Sequence, residues 1–254
     1  MLKDLKDVKS LKEGGKDFVH SSQLSTNRPS YVGEFSLKIS KSFRWKKLME
    51  YPVFSMATTY DKKKIVIGGL DGSVKVASLE QHNFGHIHMN YDKAHKETVI
   101  SICVDFNDFF MFTCSDYCVK KLRLVEMREE RAWFNQGSKN LKMVLLPSNM
   151  YIFVSDTQRC LNQISAETLD LVAHYESFDN KNLQSLATTH DSRELYCGDE
   201  NGNVSILDIA LKSFDIGIQK LHSNCITAMT IANGDRYLFT GDSKGNLIQC
   251  SLRP

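Results

Sequence analysis

Proline and tryptophan are scarce, with four and two residues in a chain of 254. With only 14 glycines besides, the chain has too little of either residue for a collagen-like or long low-complexity segment. No apolar run approaches the ~18 consecutive residues that a membrane-spanning helix needs. The start, MLKDLKDVKSLKEGG, spaces Leu and Val between Lys and Asp and so lacks the apolar core of a secretory signal. Seven cysteines (Cys103, Cys114, Cys118, Cys160, Cys197, Cys225 and Cys250) are odd in number and contain no Cys-x-x-Cys pair. They read as reduced thiols in a cytoplasmic protein, or a nuclear one, where Cys acts as a small core hydrophobe. A net charge of +2 gives no bulk attraction toward nucleic acid.

What is present is a periodic pattern. The stretch GGLDGSVKVAS (68–78) could be a phosphate-cradling loop or a hairpin turn. Four related stretches follow: CSDYCVKKLR (114–123), DTQRCLNQIS (156–165), GDENGNVSILD (198–208) and GDSKGNLIQCS (241–251). Their turn positions Asp71, Asp116, Gln158, Asn201 and Lys244 lie 45, 42, 43 and 43 residues apart. Each turn sits between short runs rich in Val, Ile, Phe and Tyr, which are strands rather than the helix that follows a phosphate loop. Gly72, Gly202 and Gly245 then supply the positive φ of a tight hairpin.

A third run precedes each hairpin: VFSMATT, VISICVDF, LKMVLLP, LQSLATT and CITAMTIA. A less regular fourth follows in the first four units, as in HIHMNY and RAWF. Four strands per unit, repeated radially, predict an all-β chain built as a β-propeller of five recognisable four-stranded blades. The units run from about 51–93, 94–135, 136–174, 175–220 and 221–254.

The period resembles that of WD40 repeats, about 40 to 45 residues. The resemblance covers 51–254. His95 and His222 match the family's opening histidine, Asp71 and Asp116 its turn aspartate, and Asp208 the Asp of its Trp-Asp ending. The tryptophan itself is replaced by Ala77, Leu122, Ile164, Leu207 and Cys250. The family's buried Asp-His-Ser-Trp network is therefore incomplete throughout, and the second unit, with His95 and Asp116, is expected to come nearest to it. The resemblance implies a platform for protein–protein contact.

The first fifty residues divide at 17. Leu2, Leu5, Val8 and Leu11, stopped by Gly14-Gly15, suggest a short helix or a disordered segment over 1–17. Residues 18–50 are a linker with a closing strand at YVGEFSLKIS (31–40), or a decayed sixth blade. Without either the ring is incomplete.

Candidate chemistry is sparse. His82, His86, His88 and His95 cluster, and His86 and His88 would share one strand face, but no recognisable zinc pattern accompanies them and no metal is assigned. Lys38, Lys41, Arg44, Lys46 and Lys47 flank Phe43 and Trp45, a pattern suited to RNA or an anionic lipid surface. A solvated strand end and linker leading into the first blade also accounts for it and is the preferred reading. No nucleophile elbow, Walker lysine or His-Glu-x-x-His motif occurs, so neither catalysis nor a cofactor is expected. The sequence thus predicts a non-catalytic scaffold within a multiprotein complex. Tyr117, Arg159, Asn201 and Lys244 would contact partners from the turns. The alternatives are an RNA- or lipid-binding propeller, or a structural subunit of a cytoskeletal or ciliary assembly.

Overall fold

The computed structural model describes residues 12–13, 16–17, 47–126, 128–176, 180–232 and 234–252. Where a helix or disordered segment is expected over 1–17, the described residues instead form two short antiparallel strands, β1 (Lys12–Glu13) and β2 (Lys16–Asp17). Gly14-Gly15 lies between them in sequence, and the register sets Lys12 opposite Asp17 and Glu13 opposite Lys16, so opposite charges align across the pair. The expected closing strand at 31–40 lies outside the described residues.

The rest is a five-bladed β-propeller of small antiparallel sheets. The first blade comprises β3 (Val53–Thr58), β4 (Lys64–Gly69), β5 (Val74–Ser78) and β6 (Ile87–Tyr91). The second comprises β7 (Ser101–Val104), β8 (Phe110–Cys114), β9 (Cys118–Arg123) and β10 (Glu129–Phe134). The third runs from β11 (Asn140–Leu145) through β12 (Tyr151–Asp156) and β13 (Cys160–Ser165) to β14 (Leu171–Glu176). The fourth holds β15 (Leu183–Thr188), β16 (Glu194–Asp199), β17 (Asn203–Asp208) and β18 (Ser213–Lys220). The fifth has three strands among the described residues: β19 (Ile226–Ala232), β20 (Tyr237–Asp242) and β21 (Leu247–Ser251).

The first strands of the blades touch one another in chain order, β3 to β7 to β11 to β15 to β19. In four of them the register slips by one residue near the start, for instance between Leu183 and Ser185. This bulge lets residues two apart face opposite neighbours. Leu183 joins the apolar cluster shared with the third blade, while the Ser185 hydroxyl donates to the Ile226 carbonyl of the fifth. Both faces of an inner blade are therefore buried, which explains why its strands read as nearly continuous apolar runs.

Four apolar clusters fill the four junctions between successive blades. Ala77, Leu122, Ile164, Leu207 and Cys250, which align with the tryptophan of the WD40 pattern the sequence resembles, are all buried. The seven cysteines are free. Burial pushes the thiols of Cys103, Cys118 and Cys250 up to about 11, so they stay protonated and pack as apolar groups. No described helix is long and apolar enough to cross a membrane.

Candidate interaction face

The hairpin turns between the second and third strands gather with the lead-in loops at one end of the blades, and backbone hydrogen bonds hold them there. Leu70 N–H donates to Pro52, Thr157 to Lys139, Glu200 to Asn182 and Ser243 to Cys225, each turn bonding its own blade's lead-in at 2.8–3.1 Å. Contacts to the next blade add to this. His95 N–H donates to the Gly72 carbonyl and His222 N–H to that of Gly202, both at 3.0 Å. Gly72 and Gly202 have φ of 78° and 91°, and a Cβ on either would collide with the His95 or His222 carbonyl oxygen. Glycine is needed twice over at these turns, for the backbone conformation and for the close approach.

Buried carboxylates brace the same turns. Asp199 accepts from the N–H groups of Asn201 and Asn203 and from the Asn203 side-chain amide, all at 2.8 Å. Asp242 repeats the arrangement with Lys244 and Asn246 at 2.8–2.9 Å. Asp156 does so with Gln158, Cys160 and Asn162, and adds the Ser138 hydroxyl, at 3.0 Å. Asp71 braces the first turn through the N–H and hydroxyl of Ser73. The recurrent turn aspartates thus spend their acceptor capacity within their own turns, on backbone N–H groups as turn chemistry predicts and on neighbouring side chains.

The histidine network differs from expectation. His95 and His222 are both buried, and the Nε2 of each lies 2.8 Å from a threonine hydroxyl, Thr113 or Thr240. His222 Nδ1 also faces the Asp242 carboxylate at 3.4 Å, and Asn224 and Asn246 complete that network. His95 Nδ1 has no partner among the described residues. The fifth blade, not the second, therefore comes nearest to a complete network. The reason is one of register: Ser115 occupies the second-blade position of Asp242, while Asp116 lies one residue on and pairs with Lys139 at 2.9 Å.

Electrostatics follow this difference. Burial, helped by Lys120, lowers the His95 pKa to about 4, so the ring is neutral. Burial also lowers that of His222, against the opposing pull of Asp242. For Asp242 burial acts upward, yet the donors from Asn246, Lys244 and Asn224 outweigh it and bring the carboxyl to about 2.

Tyr117, Arg159, Asn201 and Lys244 are all exposed on the turns of four successive blades. Tyr117 has the Lys139 ammonium 5.7 Å from its ring centroid. Arg159 takes the left-handed conformation at φ 67°, which glycine takes at three other turns, and donates to Asn180 at 2.9 Å. The Asn201 carbonyl accepts from Lys220 at 2.9 Å. Four different side chains thus stand on one rigid end. Asp208 lies elsewhere, at the far end of β17, where it accepts from Leu211 N–H. Of the basic cluster, Lys38, Lys41, Arg44 and Lys46 lie outside the described residues, and Lys47 is exposed. His86 and His88 are exposed with ring centroids 5.3 Å apart, and His82 lies 3.7 Å from Glu80. Among the described residues no three His, Cys, Asp or Glu side chains are grouped to hold a metal ion.

At the opposite end the structure reveals a device that the sequence reading missed. Asp108, Asn149, Ser192 and Asp235 all have φ between 56° and 64°. Each accepts from a backbone N–H of the preceding blade: Tyr60 and Asp61, Phe106, Ser148, and His190, respectively, at 2.8–3.2 Å. The signal lay in the same period, since these positions are 41, 43 and 43 residues apart. Lys62, at the equivalent left-handed position of the first blade, carries no acceptor.

Comparison of the sequence with models of known protein families and with curated proteins gave no match.

Proposed function

We propose that the chain is a non-catalytic protein-interaction platform of the WD40 type that binds partners with its turn end inside a multiprotein complex. The observation that carries this reading is the presentation of Tyr117, Arg159, Asn201 and Lys244, four exposed and chemically different side chains, on turns locked by backbone hydrogen bonds. A rigid scaffold carrying varied side chains offers an asymmetric surface at small ordering cost. Tyr and Arg are also the residue types that most often anchor interfaces. The carboxylates of Asp156, Asp199 and Asp242 behind the turns are already engaged, one oxygen by backbone N–H groups and the other by side-chain donors, which supports a role in shape rather than in acid–base chemistry.

The test compares two surface variants of the full chain used as affinity baits. One carries Tyr117→Ala, Arg159→Glu, Asn201→Ala and Lys244→Glu. The other carries Phe106→Ser and Phe109→Ser, which alter exposed residues at the opposite end. The expected result is loss of the captured proteins from the first bait alone, with unchanged circular dichroism for both. Equal capture by both baits would sink the reading, and capture abolished by ribonuclease would replace it with an RNA-binding one.

A further inference from the structure

The packing between blades follows a residue code that is filled at four junctions and, among the described residues, vacant at both ends of the series. On the receiving side, Val74, Val119, Leu161 and Val204 occupy one register position, opposite Gly68, Cys114, Ser155 and Gly198. Each is buried in the cluster shared with the following blade. Leu247, opposite Gly241, holds that position in the fifth blade and is 62% exposed. The glycines agree. A Cβ on Gly68 would meet Val99 of the second blade at 2.6 Å, and one on Gly198 would meet Ile226 of the fifth at 2.9 Å. Around Gly241 the nearest described atom is the Asn246 carbonyl oxygen at 4.0 Å, and nothing described lies within 4 Å of Gly245. Among the described residues nothing fills the socket that takes the next blade.

On the inserting side, Ile102, Met143, Leu186 and Met229 share one position, and each packs in the cluster of the preceding blade. Met56 is the first blade's counterpart and is 64% exposed. Val53 corresponds to Leu183 and Ile226, which are buried against the blade before them, and it is 45% exposed. A free key at one end therefore matches a free socket at the other, and both are apolar.

We propose that these faces join copies of the chain head to tail, Val53 and Met56 of one copy entering the socket of Gly241, Gly245 and Leu247 on the next. The occupant is a second copy because the chain itself carries the matching key in the required register. The contact is heterologous, so association proceeds beyond dimers into rings or open series. It borders the turn end at Gly245, beside Lys244, and does not depend on the platform reading.

Sedimentation of the full chain over a range of concentration tests this with two variants at exposed positions, a key variant (Val53→Asp and Met56→Asp) and a socket variant (Leu247→Asp). The wild-type chain is expected to gain mass with concentration past that of two copies. Either variant alone should associate roughly thirtyfold more weakly, the loss expected for a central interface anchor. An equimolar mixture should form a species of two chains and stop there, since only one intact key meets one intact socket. A wild-type chain that stays monomeric overturns the proposal and assigns the two faces to the chain's own first fifty residues or to another protein. A wild-type dimer that both variants leave intact, or a mixture that stays monomeric, also overturns it. Circular dichroism confirms that the variants fold.

Discussion

At the residue scale, His95 shows how a buried polar group ties stability to pH. Its folded pKa, near 4, lies below the ordinary 6.5, so the unfolded chain binds the proton more readily. Stability from this site is fully present above pH 6.5 and is lost as pH falls toward 4, by up to about 3 kcal/mol. Thermal melts of the wild-type chain should drop through that window, and His95→Gln should flatten the slope. An unchanged slope would show that His95 is not the titrating group. The turn glycines give a second contrast. Gly202→Ala meets both an unfavourable φ and the His222 carbonyl and should cost well over the ~1 kcal/mol of the backbone term alone, whereas Gly245→Ala, with open space around it, should cost about that term only. Denaturant midpoints of the two variants measure the difference.

At the element scale, the bonds between blades decide which substitutions propagate. Asp235→Ala removes two bonds to His190 N–H and leaves that donor without its partner, a loss of about 1–3 kcal/mol expected to loosen the fourth and fifth blades together. Lys62→Ala, at the same backbone position of the first blade, should be nearly neutral, since no equivalent bond is made there. Urea unfolding of the two variants makes the comparison. The strands and hairpins were legible in the sequence because apolar runs and turn residues are local signals. Asp108, Asn149, Ser192 and Asp235 were not, since their partners are backbone groups some 43 to 48 residues away. The histidine pairing misled for a related reason. Asp116 is adjacent to the correct position, and a one-residue offset in a strand end sends the carboxylate to Lys139 instead.

At the scale of the whole molecule, the period of about 43 residues made the propeller legible, because a blade buries its faces only against neighbours. Which ends are covered was not legible, because covered and uncovered blades share the same apolar pattern. Met56 and Leu247 look no different in sequence from Ile102 and Val204. Of the candidate site, the turn residues could be placed from the sequence, but the carboxylate bracing that makes their end rigid could be read only in part. Local stability should then follow position in the series, with the central blades supported on both faces and the end blades on one. The most direct test is amide hydrogen exchange of the dilute chain, resolved by strand. Strands β7, β11 and β15 should exchange slowly and alike, and β3 and β19 measurably faster. Equal protection of β3, β11 and β19 would contradict the picture of four filled junctions between two faces that no described residue covers.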